Sequence, residues 1–106
     1  MKKHKLRLTK DDIVRSVSAD TGFSRSEVDA IIKSTFDNVM FEVSHGNEVQ
    51  FSGFGMFEPK ERAARTGRNP HTNEVVPIPA RIIPSFKAGE RFKNAVVREI
   101  PSSKKK

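Results

Sequence analysis

Residues Arg62 to Pro70 read Arg-Ala-Ala-Arg-Thr-Gly-Arg-Asn-Pro, with an arginine at every third position and no acid inside the run. Three guanidiniums this close repel one another and cannot be buried unpaired. The stretch has no place in a packed core and must project from it. A polyanion with regularly spaced phosphates satisfies all three charges. The flanking residues predict how the projection is built. Residues 60–65 and 75–83 are expected to be the two strands of a long hairpin, with residues 66–74 as its tip. Pro77, Pro79 and Pro84 have no N–H to give to a ladder and cannot sit in a central strand. Pro77 and Pro79, two apart, put both missing N–H groups on one edge, which a two-stranded ribbon tolerates if that edge faces outward and which also blocks edge-to-edge aggregation. A lone two-stranded ribbon is marginally stable in water, and one that is kept is ordered by what it binds. Pro70 at the tip is rigid and exposed by position. Asn73 falls where a tip needs positive φ, which Asn tolerates better than most residues.

The net charge of +7 is segregated along the chain. Residues 1–10 carry five basic side chains and no acid, and residues 11–58 carry three basic and nine acidic ones. Residues 59–103 carry nine basic and four acidic ones, and Lys104 to Lys106 close the chain. Such segregation favours a defined polyanion-binding face over a uniformly adhesive surface. With no cysteine there is neither a disulfide framework nor a thiolate metal site. No apolar run approaches a membrane span, and no secretory hydrophobic stretch follows the basic N-terminus, so a soluble intracellular protein is expected. A chain of 106 residues suggests one domain with limited burial, for which dimerisation is the natural remedy.

Ahead of the arm, the pattern is helical. Thr9 is a candidate N-cap, Asp11 and Asp12 suit the first turn, and Gly22 ends the helix. Ser24-Arg-Ser-Glu27 is a capping box that opens a second helix, with Phe23 and Val28 as a hydrophobic staple. Val28, Ile31, Ile32, Phe36, Val39 and Val43 give that helix a wide apolar stripe, which suits packing against more than one partner. It ends at Gly46-Asn47. Val49-Gln-Phe51 alternates like a strand, and Gly53-Phe-Gly55 is a tight segment after it. A last helix is expected over residues 88–99, with Phe92, Ala95, Val96 and Ile100 on its apolar face and Pro101 as its stop.

Other chemistries fit poorly. The two helices joined near Gly22 invite a helix-turn-helix reading, but Glu27, Asp29, Asp37 and Glu42 on the second would be repelled by DNA. A dimer core explains them better. His4, His45 and His71 match no metal spacing, and only His71, beside Pro70, is positioned to meet a ligand of the arm. No nucleophile elbow, phosphate loop or paired-carboxylate pattern is present, so an enzyme is not expected and no cofactor is implied.

Leu8-Thr-Lys10, Gly53-Phe-Gly-Met-Phe57, Arg65-Thr-Gly-Arg-Asn-Pro-His-Thr72 and Phe86-Lys-Ala-Gly89 together make the chain resemble the HU/IHF family of bacterial nucleoid DNA-bending proteins. The order and spacing of elements agree over residues 8–99. The resemblance implies an α+β fold: an intertwined dimer with a helical body, a small antiparallel sheet and two protruding β-ribbon arms. The dimer would be a homodimer, or a heterodimer with a paralogue. It implies a domain over residues 9–100, with the arm at about 58–84, a basic extension at 1–8 and a basic tail at 101–106. Duplex DNA in the bacterial nucleoid is the implied partner, held in the minor groove and kinked by an intercalating Pro70. This wedge mechanism is the family's and is not read from the residues. Arg62, Arg65, Arg68 and Asn69 would follow the groove, with Arg81 at the base of the return strand, and Lys10, Lys60 and His71 are further expected contacts. Lys87 and Lys93 would reach phosphates from the body, and so would backbone N–H groups near Ser52-Gly53 and near Ala88-Gly89, the latter at a helix N-terminus. Asn73 where many relatives have Gly, Glu61 within the arm and Glu90 where a Lys is common depart from the family pattern. Site-specific binding of the IHF type and non-specific binding of the HU type both remain open.

Overall fold

The first helix starts where its capping chemistry is strongest. The Asp12 carboxylate accepts from the Thr9 backbone N–H at 2.8 Å and from the Thr9 hydroxyl at 3.2 Å, and Arg15 donates to it at 2.7 Å. These donors, the Thr9 N–H foremost, hold the Asp12 pKa below the ordinary aspartate value. Helix α1 (Lys10–Thr21) ends at Gly22, whose φ of 84° is the left-handed cap that a side chain would strain. The Ser18 hydroxyl donates to the Phe23 carbonyl at 2.7 Å and fixes the turn into α2 (Arg25–Ser44). At that helix start the Glu27 N–H donates to the Ser24 hydroxyl at 3.1 Å, and the Glu27 carboxylate accepts from the Ser24 N–H at 2.9 Å. The expected capping box is formed.

The computed structural model describes residues 5–99. After α2 come β1 (Val49–Phe51), β2 (Gly55–Arg62), β3 (Arg65–Arg68), β4 (Val75–Ile78), β5 (Arg81–Ala88) and α3 (Glu90–Val96). The chain divides after Met40 into two compact units, and α2 runs through the division. Among the described residues of the first unit only Val14 and Val28 are buried, at 5% and 3% exposure. Among the described residues no helix is long and apolar enough to cross a membrane, and no group of His, Cys, Asp and Glu is gathered for a metal ion.

The second unit is built on an antiparallel sheet of order β1-β2-β5. Pro59 lies in its central strand and faces Pro84 across the ladder. The arrangement is tolerated because β1 pairs only with Gly55, Met56 and Phe57, which leaves the other edge of β2 free at Pro59. Phe54, Phe57, Phe86 and Phe92 pack together, with ring centroids 4.8 Å apart for Phe57–Phe86 and 5.2 Å for Phe54–Phe92. Gly89 ties the start of α3 to the turn between β1 and β2. Its N–H donates to the Phe54 carbonyl at 2.8 Å, and a Cβ there would sit 2.8 Å from the Gly53 backbone. Only glycine permits that approach.

Two boundaries differ from expectation. The arm is not one ladder with a long tip. β2 and β5 pair as far as Arg62–Arg81, pairing lapses at residues 63–64 and 79–80, and β3 and β4 resume it from Arg65–Ile78 to Arg68–Val75. The tip is therefore shorter than 66–74, and Pro79 lies in the gap rather than in a strand. The last helix is shorter than 88–99. Ala88 pairs with Gly55 as the end of β5, and the helix runs only over Glu90–Val96. Ile100, Pro101 and the tail at 101–106 lie outside the described residues, as do residues 1–4 of the N-terminal extension.

Candidate nucleic-acid interface

Alternation along the arm sorts its side chains into two faces. Met56, Glu58, Lys60 and Arg62 of β2 share a face with Arg81, Ile83, Ser85 and Lys87 of β5. The opposite face carries Phe57, Pro59 and Glu61 against Ile82, Pro84 and Phe86. One face is thus largely basic and the other largely apolar, and register alone places Lys60, Arg62, Arg81 and Lys87 on the same face, with Lys87 at its far end from Arg62 and Arg81.

Arg62 and Arg81 are direct cross-strand partners at the last pair before the gap. Like charges directly opposite destabilise a ladder. Among the described residues neither has an acid within ion-pair distance. They line an open recess of about 590 Å³ with Glu61, Ala63, Ala80 and Ile82. An anion seated there relieves the repulsion that the protein leaves standing.

Past the gap, Arg65 and Arg68 lie three apart on one strand and so point to opposite faces of it. Arg68 is partly engaged, because its Nη1 donates to the Asn73 carbonyl at 2.9 Å. The tip is a single helical turn. The Asn73 N–H donates to the Asn69 carbonyl at 2.7 Å, and the Asn69 N–H donates to the Glu74 carbonyl at 2.9 Å. The Asn69 side-chain oxygen accepts from the N–H groups of His71 at 2.8 Å and Thr72 at 3.3 Å. Pro70 occupies the first position of the turn and is exposed, as is His71. Asn73 has the expected positive φ, 63°.

The expected contacts outside the arm are less free. The Lys10 ammonium is 2.8 Å from Asp29, which raises the Lys10 pKa, first through the hydrogen bond and then through its charge. Lys87 lies 3.4 Å from the half-buried Glu58. Each must loosen an ion pair to meet a phosphate. Lys93 is exposed on α3 with no acid within ion-pair distance among the described residues. The N–H groups of Ser52 and Gly53 have no acceptor among the described residues, but the Gly89 N–H is committed to Phe54. Of the N–H groups expected to meet phosphate near Ala88-Gly89, that of Gly89 itself is thus not free to do so. Reading from sequence passes over Arg91, whose stem lies 3.6 Å from a Cβ position on Gly53 and lines a recess with Phe54, Phe92 and Ala95. The missing signal is tertiary, since Arg91 meets Gly53 only because the start of α3 packs back on that turn, with the Phe92 N–H donating to the Gly53 carbonyl at 3.2 Å.

Residues 8–97 match the family model for bacterial DNA-binding proteins. The DNA-binding protein HU of Staphylococcus aureus is 38% identical over 89 residues, 84% of this chain and 99% of that protein. HU of Geobacillus stearothermophilus is 39% identical over the same shares. Anabaena HU, crystallised with DNA, superposes with a TM-score of 0.81 at 37% identity, covering 87% of this chain and all of that one. The α+β arrangement seen here is the fold of that structure.

Proposed function

The chain belongs to the HU family of bacterial DNA-binding proteins, which is architectural and not enzymatic, and from that premise we propose that it grips the minor groove of duplex DNA with its arm and kinks it at Pro70. It does so as a homodimer in the bacterial nucleoid. Lys60, Arg62, Arg65, Arg68 and Arg81 meet phosphates along the arm, Lys10, Lys87 and Lys93 add contacts from the body, and His71 touches the duplex beside the wedge.

The reading rests above all on the basic face of the ribbon, which leads from Lys60 and Arg81 towards an exposed proline held at the apex of a tight turn. Pro70 has no N–H to leave unsatisfied between bases, and its ring is locked by its own covalent geometry. Phosphate contacts supply the affinity and the wedge localises the bend. Bends produced by such wedges span roughly 20–90°. The test is end-to-end energy transfer across a labelled duplex saturated with protein, alongside the binding constant. Pro70→Ala is expected to keep most of the affinity and to lose much of the bend. An unaltered bend sinks the wedge. Failure of the parent protein to bind duplex DNA, or a preference for A-form RNA in competition, sinks the reading as a whole.

A further inference from the structure

The family resemblance has Asn69 following the groove, but its side-chain oxygen is turned into the protein. We propose that Asn69 is a positioning residue that caps the arm tip from within and sets the direction of Pro70, rather than a contact to DNA. This inference rests on the reading of Pro70 as the wedge.

The geometry is that of a helix start in miniature. Asn is among the best N-cap residues because its short side chain reaches the N–H groups two and three residues on. Here those groups belong to His71 and Thr72, at 2.8 and 3.3 Å. Proline is preferred at the first helical position, where its fixed φ fits and no N–H is needed. Pro70 stands there. The turn closes with the Asn73 N–H on the Asn69 carbonyl, and Asn73 leaves it at φ 63°. Arg68 ties the exit by donating to the Asn73 carbonyl at 2.9 Å. Residues 68, 69 and 73 thus clamp both ends of a turn whose first residue is the wedge. A proline on a loose tip loses orientational freedom only on insertion, and a proline on a preformed turn has already lost it. Backbone bonds from Asn69 to Asn73 and Glu74 remain when the side chain is removed, so the hairpin survives a substitution here.

Asn69→Ala and Asn69→Asp separate the two roles. Aspartate retains an oxygen in the place that accepts from His71 and Thr72, but it has no amide to donate to a base or phosphate. The free proteins are compared by the NMR shifts and solvent-exchange rates of the His71 and Thr72 amides, and the complexes by bend angle at saturation. Asn69→Ala is expected to raise those exchange rates by roughly three- to tenfold for each hydrogen bond removed, the effect of a bond of ordinary net strength, and to reduce the bend. Asn69→Asp is expected to restore both, while binding more weakly because of its charge. The proposal is overturned if the tip amides of Asn69→Ala exchange as in the parent, or if Asn69→Asp loses as much bend as Asn69→Ala. Pro70→Ala is run in parallel. If its bend is unaltered, the wedge reading fails and the role of Asn69 in aiming it falls too. The exchange rates, measured without DNA, still decide whether Asn69 caps the tip.

Discussion

At the scale of single residues, local backbone chemistry explains most of what the chain does. Asp12 draws its acidity from the donors around it, the Thr9 N–H before all others. A carboxylate whose folded pKa is depressed contributes stability above its unfolded value, and that contribution is lost as pH falls through the lower folded value. Asp12→Asn is therefore expected to be less stable than the parent at neutral pH, with the gap closing as pH falls through the ordinary aspartate value and then through the lower folded one. Urea midpoints across that range check it, and a gap that stays constant would show that the cap contributes nothing through its charge. The same locality makes Asn73 and Gly22 readable from sequence, because a positive φ restricts residue type wherever it occurs. Asn69 and Gly89 are not readable, for the opposite reason. What their polar groups bond depends on how tightly the tip closes and on where Phe54 comes to lie, and neither is encoded next to them.

At the scale of elements, periodicity carries the helices and fails at the arm. The capping box and apolar stripe make α2 legible nearly to the residue. The arm gap is not legible, because Ala63-Ala64 carries no turn signal and strand pairing alone determines where the ladder stops. Propensity places Ala88 in the last helix, but its pairing with Gly55 outweighs a preference of this size. The gap matters for binding, since it separates the opposed Arg62–Arg81 pair from a distal segment on which Arg65 and Arg68 point to opposite faces. Each phosphate contact releases counterions, so log K falls with log salt by about 0.9 per phosphate neutralised. Replacing Arg65 and Arg68 together by alanine is expected to flatten that slope by about this amount for every phosphate that goes unneutralised. A titration of duplex binding against salt measures it. A slope equal to the parent's would mean that these arginines do not touch phosphate. The single Arg65 variant should account for the larger part, because Arg68 already gives one donor to Asn73.

At the scale of the whole molecule, the apolar surface left by one chain argues for a second. Val14 and Val28 are the only buried hydrophobic side chains among the described residues, whereas Ile31, Phe36, Met40 and Phe41 are each more than half exposed. Ile31, Phe36 and Met40 lie on or at the edge of the stripe that the helical period marks out, and Phe41 lies nearly opposite it. Contiguous apolar surface of this kind on a soluble chain marks an interface. The polar side of the same helix is rich in acids, and Lys10 is drawn to one of them, Asp29, so DNA is not the partner that covers it. A second copy is the partner we propose. In a dimer that folds only as it associates, the melting temperature depends on protein concentration. Sedimentation equilibrium is expected to give twice the 11.9 kDa of the chain, and the melting temperature is expected to rise with concentration. Phe36→Asp places a charge in the stripe and should lower both the mass and the melting temperature, because a buried unpaired carboxylate is strongly disfavoured. A parent protein of single-chain mass with a concentration-independent melting temperature would overturn the dimer. It would also leave each molecule with one arm, and a single arm leaves only one kink in the DNA that it holds.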